Sequence, residues 1–241
     1  MTTTVKQRTT LPVNQGKRLE INVNGKTYQR IPVKTHFVKV GEDYFSLLEK
    51  YVMPVYQEGD ILVSSEKVLA LCQGDVILIN ELKITPLARL LSKFATKNPA
   101  GPAMDNVYKM QAAIKMAGPL RIICAAMLGA LGKLVGKKGL FYDIAGNGVR
   151  NIDGFCMVAF DYYRDKGVLA PSRPAEVCER INNNLGINCA IVDANDLEIE
   201  VLGKNVDMPL TDDLIKNIIQ DNPAGQGSEL TPFILIRNTL L

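Results

Sequence analysis

Apolar and polar residues alternate over positions 18–23, and the same two-residue period returns over 26–33. That period marks strands with one buried face. Asn24-Gly25 stands between them, a strong hairpin signal, because both residues accept the left-handed backbone of a tight turn. Over 42–52 the period lengthens, and Phe45, Leu48 and Val52 share a helical face. Gly59-Asp60 opens the apolar run Ile61-Leu62-Val63, which reads as a buried strand; 76–79 is another. Thr85-Pro86 is a helix start, with proline at the first helical position and Leu87, Leu90, Leu91 and Phe94 repeating behind it. Residues 98–102 read as a loop.

Residues 119–135 are apolar apart from Arg121 and Lys133, and Gly118, Gly129, Gly132 and Gly136 stud their surroundings. The pattern predicts a core helix with tight backbone contacts. The alternative is a membrane-associated helix whose Lys133, Lys137 and Lys138 face lipid phosphates. A turn-rich piece follows at 142–156. Then come a helix over 174–183, a buried strand over 188–192 and an alternating strand over 197–202. Thr211-Asp212-Asp213 starts a helix that runs to about Gln220, with a hydroxyl cap and acids that complement the helix dipole. Residues 221–229 form a polar, Gly-rich, flexible loop, and 233–236 a closing strand. Helices and strands mix without a regular βαβ alternation, so the expected class is α+β, with mixed or antiparallel sheets and packed helices.

Composition narrows the function classes. The 241 residues are 47% hydrophobic and 22% charged, as in a globular protein. A net charge of +3, with no Trp, argues against nucleic acid as a partner. No run of about 18 apolar residues predicts a membrane span. Residues 1–10 are polar and lack the apolar stretch of a secretory signal. The five cysteines form no CxxC pair and read as reduced core thiols of a cytoplasmic protein. With His36 the only histidine, neither a structural zinc site nor a Ser/His or Cys/His triad is supported. No P-loop motif occurs.

The small net charge hides a gradient. Residues 1–40 hold eight basic side chains against Glu20, and 106–142 hold six with no acid. From Asp193 onward nine acids face Lys204, Lys216 and Arg237. Anion-attracting and cation-attracting parts brought together would suit a metal–polyphosphate ligand. Two acidic segments fit a hard cation: Val192-Asp193-Ala194-Asn195-Asp196, where an apolar strand ends in carboxylates, and Ile152-Asp153-Gly154. The loop from Asn222 to Glu229 adds amide and carboxylate groups, and backbone N–H groups that glycine lets approach an anion.

The order of these pieces resembles the coenzyme F-420-0:gamma-glutamyl ligase family. Gly59-Asp60-Ile61-Leu62-Val63-Ser64-Ser65-Glu66-Lys67-Val68, ending at Gln73-Gly74, is similar to the family's strand, lysine and Ser-x-x-Glu-Gly signature. Ile31-Pro32 and Gly41-Glu42-Asp43 resemble its "IP…GDD" opening, and Asn151-Ile152-Asp153-Gly154 its "NAGID" motif. Ile191-Val192-Asp193 looks like its strand ending in a metal-binding aspartate, and Gly225 to Arg237 like its closing "TP…R" segment. The likeness covers about residues 28–238, which implies a ligase-like domain over 28–241 and leaves 1–27 as a basic N-terminal segment with the first hairpin strand.

The resemblance implies an intertwined homodimer of gamma-glutamyl ligase-like fold. Its members join L-glutamate to a carboxylate acceptor, coenzyme F-420-0, with GTP and Mg2+ or Mn2+, through an acyl phosphate. Carried over, Asp153 and Asp193 would be metal ligands with Asn195 or Asp196 assisting. Lys67 would meet phosphate, and Gln73, Gln226 and Glu229 would line the nucleotide pocket. The chain departs from the pattern in three places. Ala70 replaces a serine, Gln73 replaces a glutamate, and 195–203 contains no arginine. An acid–amino-acid ligase is the leading expectation; a ligase-fold binding or regulatory protein without catalysis is the alternative.

Overall fold

The computed structural model describes residues 13–96, 103–137, 139–146, 148–155, 160–194, 199–225 and 227–238. The chain divides into two compact units, Met1–Leu69 with Arg173–Leu241, and Ala70–Ser172. The first unit opens with β1 (Glu20–Val23), β2 (Lys26–Val33), α1 (Tyr44–Leu47), β3 (Ile61–Ser65) and α2 (Glu66–Gln73), inside which the boundary falls. The second holds β4 (Val76–Leu78), α3 (Pro86–Phe94), α4 (Val107–Ala117), α5 (Pro119–Leu134), α6 (Leu140–Ala145), β5 (Asp153–Gly154) and β6 (Lys166–Val168). The chain re-enters the first unit with α7 (Pro174–Leu185), β7 (Asn188–Ala194), β8 (Ile199–Lys204), α8 (Asp212–Ile218) and β9 (Phe233–Asn238).

The first unit is built on a mixed six-stranded sheet in the order β1-β2-β9-β3-β7-β8. Asn24 and Gly25 both take positive φ, 52° and 76°, so the expected hairpin closes with Val23 opposite Lys26. Only β3 and β7 run parallel. The closing strand β9 lies inside the sheet, antiparallel to both β2 and β3. Its continuous apolar run, Phe233 to Ile236, is buried on both faces as a central strand requires. On one face Ile21, Val63, Val192 and Ile234 pack with Ile215 and Ile218 of α8. That helix is capped as expected, the Thr211 hydroxyl accepting from Leu214 N.

On the other face, the Tyr44 ring meets Phe233 edge-on at 6.0 Å, and its hydroxyl donates to Ser64 Oγ at 2.7 Å. After Leu47 the helix widens into a π turn over Leu48–Val52. The wider turn rotates the buried face, which comprises Tyr44, Leu47, Leu48 and Val52, and leaves Phe45 half-buried. α7 packs on β7 and β8. Cys178 and Cys189 are buried there, and burial, with Cys178 alongside, pushes the Cys189 thiol well above its usual range. The core-thiol expectation holds for these two. Cys124 is exposed and Cys72 half-buried, while Cys156 lies outside the described residues.

The second unit joins a small antiparallel sheet, β4-β6-β5, to four helices. α3 starts at Thr85, whose side chain accepts from Ala88 N, as the sequence indicates. α4, unremarked in the sequence pattern, starts at Asn106, whose side chain accepts from Tyr108 N and Lys109 N. The turn-rich stretch contains the short helix α6 before β5. α5 corrects the sequence reading. It buries only Ile122, Ala125, Gly129 and Gly132, and most of its large apolar residues face solvent. A Cβ on Gly129 would lie 3.0 Å from Phe141 Cβ, and one on Gly132 2.9 Å from Leu140 Cδ2. The glycines therefore let α6 close on the small-residue side of α5, and that side is the internal one. Among the described residues no single helix is long and apolar enough to cross a membrane; α4 and α5 meet at a bend of 118°. The expected loop at 98–102 falls outside the described residues.

Candidate functional site

Five strand ends meet at one edge of the first unit's sheet. β3 and β7 run together, with Ser65 level with Val192, so Glu66 and Lys67 leave β3 beside Asp193. β9 runs the other way, with Phe233 level with Ser64, and Ser65 N donates to Pro232 O at 2.9 Å. The segment from Glu229 to Pro232 therefore enters at the same edge. β2 ends there, Val33 opposite Phe233, and Thr35 N donates to Leu230 O at 2.8 Å. β8 starts there, with Glu200 opposite Asp193. Ligands of open α/β sheets sit outside the carboxyl ends of strands, where strand order switches; the end of the β3–β7 pair beside antiparallel β9 offers a comparable place.

Lys67 stands in the first turn of α2 and is half-buried. Asp193 is half-buried near the end of β7, and Glu200 is directly opposite on β8. Two carboxylates facing each other across antiparallel strands repel, and a cation between them removes that cost. The ladder slips by one residue between Ile191 and Val192, leaving Leu202 extra on β8. Such bulges re-aim side chains and are common beside active sites. Asn195 and Asp196 lie outside the described residues.

Hydrogen bonds and an ion pair tie down described residues of the loop ahead of β9. Arg30 is wholly buried, pairs through its guanidinium with Asp221, and donates to Ile218 O at 3.2 Å. Asn14 Nδ2 donates to Pro223 O at 2.8 Å, Ala224 O at 3.1 Å and Thr231 Oγ1 at 2.8 Å. The Thr231 hydroxyl donates to Ala224 O at 2.7 Å. Within this frame Glu229 turns back and accepts from Gly227 N at 2.7 Å. A Cβ on Gly225 would come 2.6 Å from the Glu229 carboxyl carbon, and Gly225 has φ +77°, so glycine is needed there. Gln226 lies outside the described residues.

One constellation escaped the sequence reading. His36 Nε2 is 2.6 Å from Glu42 Oε2, and its Nδ1 is 2.7 Å from the Tyr51 hydroxyl. Glu42 Oε1 also accepts from Lys39 N at 2.6 Å. Burial works against the Glu42 carboxylate, but the Lys39 N–H, then the His36 hydrogen bond and charge, hold its pKa below the ordinary range. Folding thus favours ionised Glu42. Its contribution is present in full above the ordinary carboxylate range and is lost as pH falls through the lowered value. Glu42→Gln should therefore lower stability at neutral pH, leave it nearly unchanged in acid below the lowered value, and so flatten the acid limb of a stability-versus-pH curve. An unaltered acid limb in urea titrations would contradict this.

Two expected site residues belong to the second unit. Asp153 is exposed on β5, and its carboxylate accepts from Gly154 N at 2.7 Å. Gln73 engages Ser172 through both ends of its amide, Nε2 to Ser172 O at 2.8 Å and Oε1 from Ser172 N at 2.8 Å. Asp75 adds a second acceptor to Ser172 N at 2.9 Å, so Gln73 is part of a clamp on that chain segment. The sheet edge of the first unit gathers Lys67, Asp193 and Glu229. Among the described residues no three His, Cys, Asp or Glu side chains form a metal-holding group. Mg2+ does not require one: it is commonly held by one or two carboxylates with water and substrate phosphates, and Asp193 with Glu200 fits that donor set.

No protein-family model matches the sequence, and neither does any curated protein.

Proposed function

We propose that the chain is an acid–amino-acid ligase of gamma-glutamyl ligase-like fold, working in the cytoplasm as an intertwined homodimer. It adds L-glutamate to a carboxylate acceptor, such as coenzyme F-420-0, through an acyl phosphate formed from GTP. The observation that carries the reading is the sheet edge of the first unit. There a lysine, a carboxylate pair and a clamped glycine loop come from chain segments far apart in sequence. Phosphoryl transfer to a carboxylate draws on such a combination: a cation for phosphate and carboxylates for a metal, positioned on a firm frame.

Lys67, at the start of α2, would hold the transferred phosphate as a point charge. Asp193 and Glu200 would hold Mg2+ or Mn2+, which when bound neutralises negative charge on the phosphates. The loop of Gly225, Gly227 and Glu229 would form the opposite wall, its shape held by the Gly225 N–H on Asn222 O and the Gly227 N–H on the Glu229 carboxylate. A second reading, a ligand-binding or regulatory protein on the same fold, is favoured by the absence of any arginine over 195–203. Without arginine, less positive charge faces the transition state.

Thermal shift with GTP or ATP, each with Mg2+ or Mn2+, tests binding; the rise in Tm should grow with ligand concentration. Phosphate release that requires both glutamate and an acceptor tests the ligase. Asp193→Asn should abolish the metal-dependent part of the shift. Lys67→Ala should weaken nucleotide far more than metal. A nucleotide shift without phosphate release would establish the second reading, and no shift with any nucleotide would remove both.

A further inference from the structure

α5 carries a stripe that no part of the described chain covers. Leu120, Cys124, Met127, Leu131 and Leu134 follow one another at intervals of four, three, four and three residues. This is the a/d spacing of a two-helix seam. All five are exposed, the four larger side chains from Met127 at 57% to Leu134 at 83%. The internal side of α5 is the other one, where Gly129 and Gly132 admit α6. The exposed stripe therefore adds nothing to the packing of its own unit. Leu128 and Val135 widen it, and α3 adds Leu90 and Phe94, the latter 80% exposed. Lys133 Nζ donates to the Thr96 hydroxyl, which keeps the end of α3 beside the C-terminal half of α5.

At roughly 100 Å² of exposed surface each, the eight large side chains, Cys124 aside, present on the order of 800 Å², which one partner of a standard interface covers. A monomer seldom leaves an apolar patch that large in water. The stripe also reads alike from both ends. Leu120 and Leu134 stand seven residues either side of Met127, and Cys124 and Leu131 stand three and four. In an antiparallel pair of such helices Leu120 meets Leu134 of the other copy, and Met127 meets its own counterpart.

We infer that α5 is a self-association seam, on which α5 of a second copy lies antiparallel about a twofold axis at Met127. A seam of this kind is isologous: one patch serves both copies. It names a surface for the pairing of chains and is independent of whether the protein is a ligase. A lipid surface would match the basic composition of 106–142, but two of those charges are already engaged within the unit. Arg121 Nε donates to Ile144 O at 2.7 Å, and Lys133 to Thr96. The antiparallel seam brings Arg121 of one copy towards Lys133 of the other, so added salt, which screens that repulsion, strengthens the dimer. Binding to anionic lipid weakens with salt instead.

Light scattering on the full chain after size exclusion, over a range of protein and salt concentrations, reads the mass directly. The expected result is a dimer that tightens with salt. Leu131→Glu should weaken it about 100-fold or more, because it places a charge within the seam one turn from its centre, while the circular dichroism spectrum is retained. Should that variant misfold, cysteine cross-linking in a Cys124→Ser chain gives a second measurement. Met127→Cys should link to itself on mild oxidation, and Leu120→Cys should not, its two copies being about 21 Å apart along the helix axis. A monomer at every concentration overturns the inference, as does a dimer indifferent to Leu131→Glu or equal cross-linking by the two cysteines. A monomer that binds phosphatidylserine vesicles through Leu131 overturns it in favour of lipid. Loss of nucleotide response with the dimer intact would count against the ligase alone.

Discussion

Arg30→Met should lower the free energy of unfolding by about 3–5 kcal/mol, the cost of removing one partner from a buried ion pair. Arg30 is wholly buried, and its guanidinium holds three groups: Asp221, Ile218 O at the end of α8, and Arg18 O ahead of β1. The methionine keeps much of the volume and supplies no donor. Asp221 is then left with its carboxylate only 31% exposed and its main countercharge gone. Urea unfolding measures the effect as a drop in midpoint with the slope unchanged. Adding Asp221→Leu should recover a large part of the loss, since a buried pair replaced by apolar groups of similar size is often close to neutral. A loss below about 1 kcal/mol in the single variant would show that water reaches Asp221 freely, and that the loop ahead of β9 is anchored by Asn14 instead.

Arg30 also shows where a linear reading stops. It lies in the alternating pattern of 26–33, where polar positions are taken as solvent-facing, yet it is among the most buried side chains. Period-2 alternation separates two faces, but it cannot tell that α8 and the loop after it cover the second face of β2. The same limit applies to β9. Its apolar run announces a buried strand, while its central place between β2 and β3 follows from pairings some 200 residues apart. Local signals did determine local structure. Asn24-Gly25 made the hairpin, and Thr85-Pro86 and Thr211 capped α3 and α8, because these choices depend on a few adjacent dihedrals and hydrogen bonds.

α5 was misread for a related reason. Composition counts apolar residues; it does not say which side of a helix a neighbour takes. The small side, with Gly129 and Gly132, won the contact with α6 because two backbones approach most closely there. For the candidate site, Lys67, Asp193 and Glu229 were legible as residue types at strand ends, and the register of β3, β7 and β9 places those ends on one edge. Motif order names Asp153 as their partner, and Asp153 stands in the second unit. Tyr51, His36 and Glu42 were not legible as a group: none stands at a motif spacing from another, and only the turn after β2 assembles them.

A close backbone approach beside this edge sets the second large effect. A Cβ on Gly203 would sit 2.4 Å from Ala175 N, 2.8 Å from Pro174 C and 2.9 Å from Ala175 Cα. All three are backbone atoms, so no side chain can rotate away, and the start of α7 must move off β8. Gly203→Ala should therefore cost about 2–3 kcal/mol, at the upper end of overpacking effects. Gly186→Ala is the control: with φ +69° and open space around it, it costs only the left-handed backbone strain, about 1–2 kcal/mol. Because Gly203 pairs with Ile191, two residues before Asp193, the shift should also disturb the Asp193–Glu200 pair. Hydrogen exchange should show the amides of β8 losing protection more than those of β1 and β2, where no atom is displaced. Equal stability of Gly203→Ala and the parent chain would mean that α7 does not lie against β8 at this distance, and the geometry of the edge around Asp193 would have to be redrawn.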